Sequence, residues 1–166
     1  MNTVEQVERP WVLRRWPAVA PIVTASAFLY LGAAALQRRK AAWPMFAVSF
    51  VAVGLGSYFE GVNATWVMLA LAAALAVYGV VRGALRPPWG LPLQAAALVV
   101  LAAVALIAVR ADQTVAGVLV AAGLLIHAGW DTYHHRTHRV VARSMSEFCA
   151  VLDTLLAVVV LVVTFA

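Results

Sequence analysis

Charged residues are scarce in this 166-residue chain: Asp, Glu, Lys and Arg make up 11% of it, whereas hydrophobic residues make up 64%. Soluble domains carry about 25% charged and about 45–50% apolar residues. The chain therefore has too little polar surface to cover a core in water, which excludes an ordinary soluble globule, a disordered chain and a coiled coil. Its length allows a single domain, residues 1–166.

Cysteine is nearly absent as well. The only one, Cys149, excludes an internal disulfide and a Cys-rich metal site. The chain also lacks a Gly-rich phosphate loop, a Gly-x-Ser-x-Gly nucleophile elbow and an Asp-rich prenyl-diphosphate motif. Ser144 and Ser146 lie near histidines in the sequence, so a Ser–His hydrolase stays open, although the spacing does not favour one.

Long apolar runs are what the chain has in abundance. A helix needs about 20 mostly apolar residues to cross the ~30 Å hydrocarbon layer, and the backbone inside lipid must satisfy its own hydrogen bonds. The runs predict an all-α integral membrane bundle of about six helices, or five if the Gly-rich stretch Gly54–Gly61 re-enters instead of crossing. The predicted spans are residues 17–37, 43–60, 63–82, 91–110, 113–134 and 147–166, after an interfacial N-terminal segment at 1–16.

The basic residues are distributed unevenly between the two sides of the predicted bundle. Eight lie in the first, third and fifth loops, and four lie in the N-terminal tail and the remaining loops. Because cytoplasmic loops carry the excess of Lys and Arg, we expect both termini outside the cytoplasm of a bacterial-type plasma membrane. The net charge of +5 is then expected to face anionic membrane lipid, and nucleic acid is not expected as a partner. The eight residues are Arg38, Arg39, Lys40, Arg82, Arg86, Arg136, Arg139 and Arg143.

All four histidines lie in one segment, between positions 127 and 138. Four residues there are separated by steps of four, three and four, which keep side chains on one face of a helix. Neutral imidazoles and a carboxylate at this spacing are how a helix presents ligands to Zn or Fe. The predicted ligands are His127, Asp131, His134 and His138. His135 projects to the side and is a further ligand or a solvent-facing residue.

The last apolar run adds acidic residues to this group. If the last two helices pair as a hairpin, His127 and Asp153 lie at similar depth, and Glu147 lies nearer Asp131 and His134. A carboxylate inside a span costs about 2.5–3.5 kcal/mol on insertion scales, so Asp153 needs a partner, for which His127 is the candidate. The candidate catalytic residues are Asp153, Glu147 and Asp131.

The segment Asp131-Thr-Tyr-His134-His135 resembles one histidine box of the membrane di-iron desaturases and hydroxylases, with Asp in place of the first histidine. Those families carry three such boxes, whereas this chain has one. A complete di-iron site would have to recruit Asp131, Glu147, Asp153 or a second subunit, so a homo-oligomer is one expectation.

Three arginines lie among and after the histidines, also at steps of three and four. Guanidinium groups at a membrane surface suit the recognition of phosphate, so we predict that these residues hold an anionic headgroup. The positive-inside rule explains the same residues without any ligand. They are Arg136, Arg139 and Arg143.

Together these patterns predict a His, Asp and Glu cluster at the cytoplasmic ends of the fifth and sixth helices. They predict a metal-dependent or acid–base membrane enzyme, with Fe or Zn as cofactor, that acts on a lipid or isoprenoid entering from the bilayer. Three alternatives stay open. His127 and Asp153 could form a structural hydrogen-bonded pair, or the cluster could relay protons or sense pH. The chain could also be a non-enzymatic subunit, an assembly factor, or a carrier of protons or metal ions. Glu60 is expected at the opposite membrane face, capping a turn or lining an entry path.

Overall fold

The computed structural model describes residues 20–59 and 61–166, which form six α-helices and contain no strand. The predicted all-α membrane bundle is confirmed. The helices are α1 (Ala20–Ala35), α2 (Ala42–Tyr58), α3 (Ala64–Val81), α4 (Leu91–Arg110), α5 (Gln113–Thr137) and α6 (Arg143–Phe165), and a 3-10 turn at Arg39–Ala41 precedes α2.

Five helices in the described part of the chain, α2 to α6, are long and apolar enough to cross a membrane, with α2 taken together with the 3-10 turn before it. The first predicted span, 17–37, is described from Ala20 onward as an apolar helix of 16 residues. The glycine-rich stretch after Gly54 continues α2 as far as Tyr58, so it belongs to a helix long enough to cross. The interfacial segment predicted at 1–16 and Glu60 lie outside the described residues.

Local sequence signals set several helix ends. Asn63 caps α3 by accepting a hydrogen bond from the Trp66 backbone N–H (3.2 Å), and Asp112 caps α5 in the same way. Such side-chain acceptors satisfy N–H groups that the first helical turn leaves without partners. Pro92 lies in the first turn of α4, where a missing N–H removes no intrahelical bond.

Helix α1 is the centre of the bundle. It packs against α2, α3, α4 and α5, and every side chain from Ser26 to Ala35 is buried. The other helices turn apolar side chains outward, such as Phe50, Val99 and Ile126, which are 72%, 68% and 70% exposed. Soluble proteins rarely expose apolar surface of this extent to water, so the outer face of the bundle is suited to lipid.

The most extensive helix pair is the hairpin of α5 and α6. Gly117 and Ala121 of α5 are both buried, and a Cβ at Gly117 would collide with the side chain of Thr164 on α6. Small residues allow this approach where lipid supplies no hydrophobic drive between helices.

The three loops that carry most of the basic residues lie at one end of the bundle. The Ala142 N–H of the α5–α6 loop donates to the carbonyl of Arg39, which lies in the α1–α2 connection (3.2 Å). The guanidinium of Arg139 lies 4.5 Å from the ring centre of Trp89, which lies in the α3–α4 loop. We refer to this end of the bundle, formed by residues 36–41, 82–90 and 138–142, as the basic end.

Gly79 provides a test of this packing. A Cβ there would lie 2.7 Å from Leu91 Cδ2 and 3.1 Å from the Cα of Ala35, so α3 would have to move away from α1. We expect Gly79→Ala to lower the free energy of unfolding by about 1–3 kcal/mol, measured as a lower thermal midpoint in detergent. The control Gly54→Ala meets no atom within 4 Å and should leave stability unchanged or raise it by up to ~1 kcal/mol. Equal effects of the two variants would contradict this packing.

Candidate metal centre

Three buried ionisable side chains meet between α5 and α6. His127 Nδ1 lies 2.9 Å from Asp153 Oδ2 and 3.2 Å from Asp131 Oδ2. One potential ligand atom from each residue lies within 4.8 Å of the others, and the three residues are at most 4% exposed. The predicted meeting of His127 and Asp153 is confirmed. We call these three residues the acidic triad.

Helix geometry brings the acidic triad together. His127 and Asp131 are one turn apart on α5, while Asp153 belongs to the buried face of α6 with Cys149 and Ala157. His127 lies ten residues before the end of α5 and Asp153 ten residues after the start of α6. At about 1.5 Å per residue, both residues lie about 15 Å along their helices from the basic end.

Helix α1 supplies two polar side chains to this centre that the sequence reasoning missed. Tyr30 donates a short hydrogen bond from its hydroxyl to Asp131 Oδ1 (2.6 Å), and Ser26 Oγ lies 3.4 Å from Asp153 Oδ2. The two residues are one helical turn apart in a mostly apolar run. Polar side chains at that spacing in a buried helix were the signal that could have revealed them.

The acidic triad has fewer hydrogen-bond donors than buried acceptor oxygens. Only one carboxylate can accept the single Nδ1–H of a neutral His127, and the geometry of that bond favours Asp153. Asp131 Oδ2 is buried and has no hydrogen-bond partner among the described residues, although His127 Nδ1 lies 3.2 Å away. Buried acceptors normally have partners. Two carboxylates thus converge on one donor, an arrangement that has room for a shared proton or a cation.

His134 lies on the same face of α5 but is not part of the acidic triad. Its Nδ1 lies 3.2 Å from the carbonyl of Arg139, so this nitrogen is the donor and Nε2 is the acceptor. Nε2 faces the side-chain amide of Gln94 on α4 at 3.5 Å. The ring of Tyr30 contacts both His127 and His134, with centroids 5.4 and 5.0 Å away. The partners of His134 are therefore Arg139 and Gln94, and not the residues of the acidic triad.

The other predicted ligands and the third predicted carboxylate lie elsewhere. His138 follows the end of α5 in a left-handed conformation and is exposed, so the helical spacing from His134 does not extend to it. His135 is half-buried on a different side of α5. Glu147 is exposed on α6, because six residues at about 100° each place it ~120° away from Asp153. The structure does not bring these three residues to the acidic triad.

The arginines predicted to bind an anion differ in their surroundings. Arg139 donates to the hydroxyl of Tyr133 (3.1 Å) and lies over Trp89, whereas Arg136 and Arg143 are exposed. Positive charge is nonetheless dense at the basic end. Desolvation lowers the pKa of His138, and the neighbouring positive charge of Arg143 lowers it further.

The chain matches no known family model, no characterised protein sequence and no solved structure. The likeness of its one histidine box to the di-iron desaturases and hydroxylases thus has no support beyond that segment. The chemistry of the acidic triad and its surroundings is the basis for assigning a function.

The Tyr30 hydroxyl tests whether α1 supports the acidic triad. In Tyr30→Phe the buried Asp131 loses its shortest hydrogen bond, so we expect the free energy of unfolding to fall by about 1–3 kcal/mol, read as a lower thermal midpoint. The matched control is Tyr78→Phe, because Tyr78 is 47% exposed on the outer face of α3. If both variants unfold alike, the contact between Tyr30 and Asp131 contributes nothing to stability.

Proposed function

We propose that the chain is an integral membrane protein that binds one divalent metal ion at the acidic triad, and that it is a metal-dependent enzyme acting on a lipid or isoprenoid. One observation carries the proposal: the buried carboxylates of Asp131 and Asp153 converge on one imidazole nitrogen and have only one donor there.

Charge is the first argument for a metal. Two ionised carboxylates and a neutral imidazole carry a net charge of −2, and isolated buried charges cost several kcal/mol each even after relaxation (~20 kcal/mol as an idealised limit). No lysine or arginine pairs with either carboxylate among residues 20–59 and 61–166. A divalent cation would neutralise the triad and satisfy Asp131 Oδ2 at the same time.

The ligand types favour Zn²⁺ or Fe²⁺. One imidazole and two carboxylates form a mixed nitrogen and oxygen set, and Cys149 nearby donates to Met145 Sδ instead of pointing a thiol at the triad. Three protein ligands leave at least one coordination position open, as catalytic sites do and closed structural sites do not. When bound, such an ion would activate water or polarise a substrate oxygen.

The residues around the triad would orient its ligands. Tyr30 fixes Asp131 through its 2.6 Å hydrogen bond, and Ser26 adds a second polar contact beside Asp153. Partners of this kind hold ligand carboxylates in place and tune their basicity. Because the triad lies about 15 Å below the helix ends, an apolar substrate would reach it from the bilayer.

Metal analysis of the detergent-purified protein tests the proposal. We expect about one Zn or Fe per chain in the wild type, and loss of most of it in His127→Ala and Asp153→Asn, because each removes one of three ligands. The matched controls are His138→Ala and Glu147→Gln, since both side chains are exposed away from the triad; they should retain the metal.

Helical circular dichroism and a monodisperse elution profile would show that the metal-free variants are folded. A wild-type protein without metal would contradict the proposal and favour the structural pair of His127 and Asp153. Equal loss of metal from His138→Ala would place the ion elsewhere.

Orientation is a second proposal, and it follows from the basic end. The three loops there carry the excess of Lys and Arg, so we propose that they face the cytoplasm and that both termini lie outside. A reporter fused after Ala166 should then show extracytoplasmic activity, and one fused after Arg86 should show cytoplasmic activity. The reverse pattern would contradict this orientation.

A further inference from the structure

A cavity of about 190 Å³ opens at the basic end of the bundle. Its floor consists of small and apolar side chains from α1, the α3–α4 loop and α4, including the buried Ala33, Ala84 and Leu91. The cavity is also lined by three exposed residues, Gln37, Arg39 and Arg86. The cavity thus combines an apolar base with two cationic groups and an amide.

The charge around this cavity has no internal counterpart. None of the residues that line it is acidic, and no Asp or Glu lies within ion-pair distance of an arginine or lysine in the described part of the chain. Arg39 and Arg86 are both exposed, one from the α1–α2 connection and one from the α3–α4 loop. Guanidinium groups from separate loops around one concave surface suit a phosphate, which they can contact from two sides.

The backbone that lines the cavity is held in uncommon conformations. Gln37 and Val140 both line it, and both have positive φ, 51° and 61°. A β-branched residue such as Val140 adopts this region only when its surroundings enforce it. Strain of this kind concentrates at ligand sites, where it is part of a preformed geometry.

The cavity is connected to the acidic triad through contacts in the structure. The carbonyl of Trp89, which lines the cavity, accepts a hydrogen bond from the Gln94 amide (3.2 Å). Gln94 in turn contacts His134, whose ring packs on Tyr30. On α1, the cavity residue Ala34 lies one helical turn, about 5–6 Å, beyond Tyr30.

We propose that this cavity binds a phosphate group through Arg39 and Arg86, and that the phosphate is the headgroup of an amphiphile whose apolar part reaches toward the acidic triad. The substrate class is then a phosphate-bearing lipid or isoprenoid, and this second statement rests on the proposed function. The site differs from the arginines singled out by helical spacing, because neither Arg136, Arg139 nor Arg143 lines the cavity.

The test is phosphate binding by the full chain in phosphatidylcholine nanodiscs, measured calorimetrically with two probes, dihexanoyl phosphatidic acid and inorganic phosphate. The double variant Arg39→Gln, Arg86→Gln should bind the lipid at least about tenfold more weakly, because it loses two charge-assisted contacts. The matched control, Arg38→Gln with Arg82→Gln, removes the same charge from the same end but not from the cavity. Its affinity should change by no more than about fivefold, as expected for surface charges.

The substitutions keep the backbone contact that joins two loops at the basic end. Arg39 contacts the α5–α6 loop through its backbone carbonyl, which Arg39→Gln retains. Tighter binding of the lipid than of inorganic phosphate supports a headgroup site, and equal binding of the two supports a site for free phosphate and overturns the substrate class. Equal weakening in both double variants, or no binding by the wild type, overturns the cavity as a phosphate site.

Failure of this inference is distinguishable from failure of the metal centre. Asp153→Asn removes a proposed metal ligand and should keep phosphate affinity, while Arg39→Gln with Arg86→Gln should keep the metal. If the protein binds phosphate in the cavity but contains no metal, the phosphate site is supported and the proposed metal-dependent enzyme is contradicted.

Discussion

The burial of Asp131 and Asp153 beside a single imidazole is the constraint on which the rest of this structure depends. Both carboxylates lie within helices whose outer faces are apolar, and both are at most 1% exposed, so water does not solvate them. Three side chains lie within hydrogen-bond distance of these carboxylates. They are His127 from α5, and Tyr30 and Ser26 from α1. These partners account for Asp131 Oδ1 and Asp153 Oδ2 but leave Asp131 Oδ2 unsatisfied, and that oxygen carries the case for a cation.

The central position of α1 places its polar side chains beside these carboxylates. A helix that is buried on every side needs neighbours all around it, and α2 to α5 provide them. Glycine and alanine at the contacts, such as Gly79 against Ala35, let these neighbours approach closely. Close packing fixes the side chains of α1, so Tyr30 is held where its hydroxyl meets Asp131. Packing and polar chemistry are therefore coupled at one helix.

The sequence predicted the fold well because lipid imposes a simple rule: long apolar runs must be helices. It also predicted the contact of His127 with Asp153, since the two residues lie equally far from the α5–α6 turn. His138 could not be placed from spacing alone, because α5 ends at Thr137 and the next residue turns left-handed. The spacing of Ser26 and Tyr30 marks both as buried polar residues, but the contact of Tyr30 with Asp131 joins helices far apart in the chain. The cavity at Arg39 and Arg86 likewise depends on loops far apart in the chain, and periodicity reports neither contact.

X-ray absorption spectroscopy of the metal-loaded protein is the most direct test of the acidic triad as a metal centre. The account predicts a first shell of oxygen and nitrogen only, at about 2.0–2.2 Å if the ion is Zn²⁺, with the outer-shell scattering of a single imidazole. A shell that contains sulfur from Cys149, or the scattering of two or more imidazoles, would contradict the proposed ligand set.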